Sequence, residues 1–147
     1  MILFISIIAA FFFMEFMAWF THKYIMHGFL WNLHEDHHKP TGKLFQKNDL
    51  FFLIFAIPSW LTIMFGFIYN NSISIGIGFG IALYGLAYFL MHDVLIHRRK
   101  KWFDKTDNRY FKAARKAHKV HHKNQEKEDG KCFGMLIFPF KYFKEAK

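Results

Sequence analysis

All ten histidines of the chain fall into two groups. The first is His22-Lys-Tyr-Ile-Met-His27 followed by His34-Glu-Asp-His37-His38, and the second is His92-Asp-Val-Leu-Ile-His97 followed by His118-Lys-Val-His121-His122. Both read H-x4-H and then H-x2-H-H, with six residues between the two parts in the first group and twenty in the second. The ligand pattern is therefore internally duplicated. On a helix, residues i, i+3 and i+4 lie within about 100° of one another, so the three imidazoles of H-x2-H-H converge on one face. The H-x4-H pair lies about 140° apart on an ideal α-helix, and both rings can serve only if the helix ends, bulges or lies between two metals. One such pair is a weak signal, whereas four elements that consume every histidine are a strong one. Ten imidazoles are too many for one octahedral ion and suit two metals with four or five nitrogen ligands each. Iron is favoured because a redox-inert closed-shell ion needs no such array, although imidazole alone leaves zinc and copper open.

Ligation requires neutral rings, so acceptors are expected around the nitrogens that do not face metal. Asp93, Asp36 and Glu35 are adjacent in sequence, and each could equally be a solvated interfacial charge. Asp93 stands between an apolar run and His97, where an unpaired carboxylate is costly. Glu15 is the one acid within an apolar stretch; it lies seven residues before His22, on nearly the same helical face and about two turns away. A buried structural hydrogen bond is the plainer reading of Glu15, and a place in the outer shell of the metals or on a proton path is the sharper one.

These groups need elements to carry them. Of the 147 residues 53% are hydrophobic and 21% aromatic, a composition that points to a membrane. Ile2 to Phe20, Leu50 to Ile68 and Ile73 to Met91 are apolar runs long enough at about 1.5 Å per residue to cross a hydrocarbon core of about 30 Å. The first run lacks a basic region before it and a clear small-residue cleavage site after it, so it reads as a span rather than a leader. Tyr69-Asn70-Asn71-Ser72 is short enough for a helical hairpin between the second and third runs. Gly76 and Gly80, with Gly78 and Ala82 offset by two, form a small-residue face for close helix packing. Asn108 to His122 reads as a helix, Lys123 to Lys131 as a loop, and the tail Cys132 to Phe143 as an interfacial segment or a cap on the cytoplasmic part. The solitary Cys132 excludes an internal disulfide. The expected fold is thus an all-α integral membrane protein, one domain over residues 1–147, with three transmembrane helices beneath a histidine-rich cytoplasmic helical cap.

The formal charge of +9 reads as topology. Four of the twenty Lys and Arg residues lie between Thr21 and Asp49 and sixteen between His97 and Lys147, while the connection at residues 69–72 carries none. With both basic segments cytoplasmic, the positive-inside rule is met and both histidine groups emerge on one side of the bilayer. No nucleic-acid recognition module is apparent, so nucleic acid is not an expected partner, and anionic headgroups are the natural secondary contact.

At Met14 to Trp19, His22 to Gly28, His34 to Pro40, His92 to Arg99, Ala117 to His122 and Cys132 to Met135, the sequence resembles the bacterial β-carotene hydroxylases of the fatty-acid hydroxylase and sterol desaturase superfamily. The resemblance covers most of the chain. It implies a non-haem di-iron monooxygenase in the bacterial inner membrane, with its metal site on the cytoplasmic side. Its two iron ions would be held by His22, His27, His34, His37, His38, His92, His97, His118, His121 and His122. O2 would be the co-substrate, a membrane-dissolved carotenoid the substrate, and ferredoxin with its reductase the electron donor. Carbon 3 of each β-ionone ring would be hydroxylated, giving β-cryptoxanthin and then zeaxanthin. Superfamily members are often described with four spans, one more than the three counted here. A hydroxylase or desaturase of fatty-acyl, sphingoid or sterol lipids would share the metal array. A metal-binding or transport protein would place polar residues at the bilayer midplane, where Glu15 alone qualifies, and haem would leave most of the histidines unexplained.

The charge distribution makes a direct prediction. A tag at Asn70 or Asn71 is expected to be labelled from the periplasmic face and one near Lys127 to be protected. Finding both on one face would overturn the hairpin.

Overall fold

In a computed structural model, residues 1–39, 45–103 and 105–146 are described. Pro40, at the end of one segment that carries the family resemblance, lies outside them. Among the described residues all regular structure is helical. Helix α1 (Ile2–Phe20) runs directly into a π-helical stretch, Thr21–Phe29. Gly28, at φ −106° and ψ −125°, then turns the chain into the short α2 (Trp31–His38). A 3-10 turn at Lys47–Asp49 leads into α3 (Leu50–Ile68), which continues unbroken through Pro58. Helix α4 (Ser72–Tyr88) is likewise prolonged by a π-helical stretch, Phe89–Ile96, and is followed by α5 (Arg109–His122) and α6 (Lys141–Glu145).

Three of these helical runs are long and apolar enough to cross a membrane: Ile2–Phe29, Lys47–Ile68 and Ser72–Ile96. No more than 22% of any apolar window is buried inside the protein, so most of this apolar surface faces outward, as lipid contact requires. The third run extends beyond Met91, the end expected from composition, because the π-helical stretch carries it past His92 and Asp93 to Ile96.

Helix α4 packs between α1 and α3, and its glycines explain how. A Cβ on Gly76 would meet Ser6 Cβ at 2.6 Å and Leu3 O at 2.7 Å, and one on Gly80 would meet Ala10 Cβ and Ile7 O, both at 2.6 Å. Those two positions therefore admit α1. Gly78 faces the other way, where Thr62 Oγ1 and Ser59 O of α3 would lie 2.7 and 2.8 Å from its Cβ. Ser59 Oγ donates to Gly78 O at 2.7 Å and Ser74 Oγ to Thr62 O at 2.8 Å, hydrogen bonds that tie α3 to α4. The expected hairpin forms at Tyr69–Asn71, with Asn70 at φ 50° and the Asn71 side chain accepting from Ile73 N and Ser74 N to cap α4.

Helix α5 begins at Arg109, capped by the Asn108 side chain, and closes the end of the bundle. Its Ala114 packs with Met91, Leu95 and Met135, while Ala113 and Ala117 meet Tyr142 and Ala146 of the tail. The tail thus caps α5, leaving Ile137 and Phe140 exposed.

Gly80→Leu is expected to separate α1 from α4 at a cost of about 1–3 kcal/mol from overpacking. Gly85, with nothing within 4 Å of its Cβ position, is the control. Thermal unfolding in detergent should show a clear fall in Tm for Gly80→Leu and little change for Gly85→Ala. Equal Tm values for the two would contradict the packing.

Candidate metal centre

The histidines occupy the end of the bundle where α1 and α4 turn π-helical. In a π-helix the N–H of residue i+5 bonds the carbonyl of residue i, which brings side chains five apart toward one another. His97 N donates to His92 O at 2.8 Å in this way, and Leu30 N to Ile25 O at 3.0 Å. The ring centroids of His22 and His27 consequently lie 5.4 Å apart and those of His92 and His97 4.5 Å apart. The bulge, one of the ways an H-x4-H pair can converge, is the one the chain uses, twice.

Two clusters result. In the first, His22, His27, His34, His38 and His121 each offer a nitrogen, and these atoms all lie within 4.8 Å of one another. The second holds His37, His97, His118 and His122 on the same criterion, with His92 Nε2 joined to it 3.0 Å from His37 Nε2. All ten histidines are thereby brought together in two groups of five. The membership crosses the sequence duplication: the central histidine of each H-x2-H-H, His37 or His121, belongs to the cluster built mainly by the other half. Adjacent residues in α2 and α5 thus line different clusters, and His38 and His122 stack across the divide at 4.6 Å.

Hydrogen bonds fix the tautomers. Nδ1 of His22 faces Phe133 O at 3.1 Å, that of His27 faces Lys127 O at 3.0 Å and that of His34 faces Asn48 Oδ1 at 2.6 Å. His37 faces Gln46 Oε1 at 3.2 Å, His38 faces Asn124 O at 2.9 Å, His121 faces Lys131 O at 3.0 Å and His92 faces Asp93 Oδ2 at 3.5 Å. Every acceptor is an oxygen, so each Nδ1 carries the proton and each Nε2 presents a bare lone pair.

The Nε2 atoms nonetheless approach one another closely. His27 and His38 are 3.2 Å apart, His34 and His38 3.2 Å, His27 and His121 3.4 Å, His97 and His118 2.9 Å, and His118 and His122 2.9 Å. Among His27, His34, His38 and His121, and between His37 and His92, whose Nδ1 atoms all face oxygen acceptors, these contacts set lone pair against lone pair, which repel unless a cation lies between them. Two nitrogens each about 2.1 Å from one ion would stand about 3.0 Å apart at a right angle and about 3.4 Å apart at the tetrahedral angle, which is the observed range. His22 Nε2 is buried with no hydrogen-bond partner among the described residues, a further orphaned lone pair aimed into the first cluster. The residues therefore fit two metal ions.

Among the other candidates, Asp93 is placed against His92, and its second oxygen receives Arg99 Nε at 3.1 Å. Glu15 accepts instead from Tyr84 OH at 2.7 Å and from the backbone N–H groups of Met135, Leu136 and Ile137 at 3.2, 3.0 and 2.8 Å. Asp36 accepts from Lys47 N and Asn48 N, steadying the turn that carries Asn48, and Glu35 pairs with Lys39. Asn48, Gln46 and Arg99 were not foreseen. Arg99 bonds Asp49, Asp93 and Gln46 together, yet in sequence it is one cation in a run of four. The four backbone carbonyls have no sequence signature.

A model of the fatty acid hydroxylase family matches residues 7–141. The chain is 38% identical over 145 residues to "Beta-carotene hydroxylase" of Pantoea ananas, covering 95% of this chain and 77% of that protein. It is 39% identical over 136 residues to "Beta-carotene hydroxylase" of Pseudescherichia vulneris, covering 92% and 74%. Against "Beta-carotene 3-hydroxylase, chloroplastic" of Gentiana lutea it is 36% identical over 129 residues, 86% of this chain but 40% of that protein. The chain thus spans about two fifths of the length of the plant relatives it matches. No solved structure matches it.

Burial favours the neutral form of seven of the imidazoles: it lowers His38 to about 4, His122 to about 3, and His34 and His121 to about 2, and it pushes His37, His97 and His118 down as well. Unfolded histidines titrate near about 6.5. Between that value and the folded ones the unfolded chain binds more protons, so stability is lost as pH falls below about 6.5. The metal-free protein in detergent should show a falling Tm from pH 7.5 to 4.5. A flat profile would contradict neutral, buried rings.

Proposed function

Because the chain belongs to the fatty acid hydroxylase family, we propose that it is a β-carotene 3-hydroxylase: a membrane monooxygenase that converts β-carotene through β-cryptoxanthin to zeaxanthin. The observation that carries the chemistry is the pair of five-imidazole clusters with their lone pairs turned inward. All ten histidines are the proposed ligands, five to each of two iron ions. Such ions supply the oxidising power that side chains lack. The reaction replaces one C–H at carbon 3 by C–OH; the second oxygen atom of O2 leaves as water, with two electrons and two protons supplied from outside. Ferredoxin with its reductase is the proposed electron donor, and the positive-inside rule supports a cytoplasmic metal site.

The chain's own groups orient and enclose. The Nδ1 acceptors fix seven of the imidazoles, those of His22, His27, His34, His37, His38, His92 and His121, and Trp31, Phe133 and Tyr88 close around the rings at centroid distances of 5.1 Å to His27, 5.4 Å to His22 and 4.8 Å to His92. Bulk water is thereby kept from the inner nitrogens. Three outward-facing apolar helices favour a lipid-soluble substrate that arrives through the bilayer. The family model matches lipid hydroxylation in general, so hydroxylation or desaturation of a fatty-acyl, sphingoid or sterol lipid is the second reading. A transport role is disfavoured, because Glu15 is already engaged by Tyr84 and three backbone N–H groups.

Expression in a host that accumulates β-carotene should yield β-cryptoxanthin and zeaxanthin, and His38→Ala or His122→Ala should abolish both. Unchanged β-carotene beside metal-loaded, reducible protein would move the assignment to another lipid. A keto product at carbon 4 would keep the carotenoid and change the position of attack.

A further inference from the structure

The two clusters are built alike but are supported differently. Four of the five imidazoles in the first cluster are oriented by backbone carbonyls from one short stretch of chain: Asn124 O for His38, Lys127 O for His27, Lys131 O for His121 and Phe133 O for His22. In the second cluster, the acceptors on His37 and His92 are the side chains of Gln46 and Asp93, bound together by Arg99. Residues 124–133 take no part in that second arrangement.

Residues 124–133 contain no helix or strand, and Gln125 to Asp129 are exposed. A stretch of this kind does not hold four carbonyls in register by itself, since exposed irregular backbone opens at little free-energy cost. Its upstream end is fixed by α5. Its downstream end is fixed by Glu15, whose oxygens gather the N–H groups of Met135, Leu136 and Ile137, with Tyr84 OH of α4 completing the set. Successive N–H groups directed at one carboxylate form an anion nest, and such bonds are stronger than neutral ones. Gly134 permits the turn, because a Cβ there would overlap the Ile137 carbonyl. Glu15 sits on α1, the helix whose continuation carries His22 and His27.

We propose that Glu15, braced by Tyr84, is a latch that holds the carbonyl-bearing stretch 124–133 over the first cluster, so that one of the two metals depends on it and the other does not. Glu15 is then a positioning residue: it acts on His22 through the turn at 134–137 and the Phe133 carbonyl. This rests on the two-metal reading of the clusters. It also explains a buried acid in a membrane span without assigning it a proton to move.

Glu15→Gln keeps the shape but removes the negative charge and one acceptor oxygen, so the N–H groups of Met135, Leu136 and Ile137 are held by weaker, neutral hydrogen bonds. In the metal-free protein, hydrogen exchange at Met135 to Ile137 should quicken about tenfold or more, with the α3–α4 hairpin unchanged. Titration with Co(II), followed by its absorption bands and by metal analysis, should show two tight sites in the unmodified protein. In the variant one site should weaken about 10–100-fold while the other is retained. Arg99→Lys should weaken the opposite site, and the double variant both. Two unaltered sites in Glu15→Gln, or equal weakening of both in a folded variant, overturns the inference.

If Glu15→Gln does not fold, trypsin cleavage of the unmodified Co(II) protein at Lys127 or Lys131 replaces it. Release of one metal supports the latch, and release of both or neither overturns it. Fewer than two Co(II) ions in the unmodified protein would overturn the two-metal reading instead, while the hydrogen-exchange result, read without metal, still decides whether Glu15 holds the turn.

Discussion

Imidazole lone pairs that face one another at 3.0–3.4 Å, as those of His27, His34, His38 and His121 and of His37 and His92 do, are not at rest without positive charge between them. Protons could supply that charge in water, but burial resists it, as the depressed values of His34, His38, His121 and His122 show. The chain therefore holds its rings neutral with the repulsion intact, a state that a divalent cation relieves. Much of the surrounding structure serves to keep the rings from escaping by rotation. An imidazole that flips would move its Nδ1 proton into the cluster, and each oxygen acceptor on the outer side opposes that motion. The acceptors come from unrelated places, a span terminus, a turn and a loop, because what matters is their position rather than the element that supplies them.

The backbone solves a geometric difficulty by the same local device in both halves. A straight α-helix would point His22 and His27, or His92 and His97, about 140° apart. Widening the last turns of α1 and α4 to π geometry brings each pair together where the spans end. The second of these stretches lies where helix α5 and the tail pack against it, through Met91, Leu95, Ala114 and Met135. An α-helical end would satisfy its own hydrogen bonds better, and the packing and the metal-ready rings offset that loss.

Much of this was legible in the sequence because it depends on periodicity. The three apolar runs, the hairpin at Asn70 and Asn71, the helix from Asn108 to His122 and a small-residue face on α4 follow from spacing and hydropathy, whereas the structure shows that Gly78 faces α3 while Gly76 and Gly80 face α1. So does the common side of the two histidine groups, since an even number of spans separates them. The exchange of His37 and His121 between clusters was not legible. On a helical wheel His37 and His38 differ by one residue, and only the three-dimensional placement of α2 against α5 decides which ring enters which cluster. The carbonyls of Asn124, Lys127, Lys131 and Phe133 were hidden for a different reason, because every residue has a carbonyl and the direction of this one is a property of the fold. Glu15 was visible as an anomaly, and its partners were not.

The exchange has a consequence for how the centre assembles. If each duplicated half had formed its own site, either half could bind metal while the other remained disordered. With His37 lent to the second cluster and His121 to the first, neither cluster is complete until α2 and α5 are docked against each other, and the second also needs the π-helical end of α4, which carries His92. Metal binding and the closing of the bundle end are then linked, since an ion that binds only the assembled form stabilises it by mass action. The duplicated sequence thus builds two clusters, each of which draws one histidine from the other half.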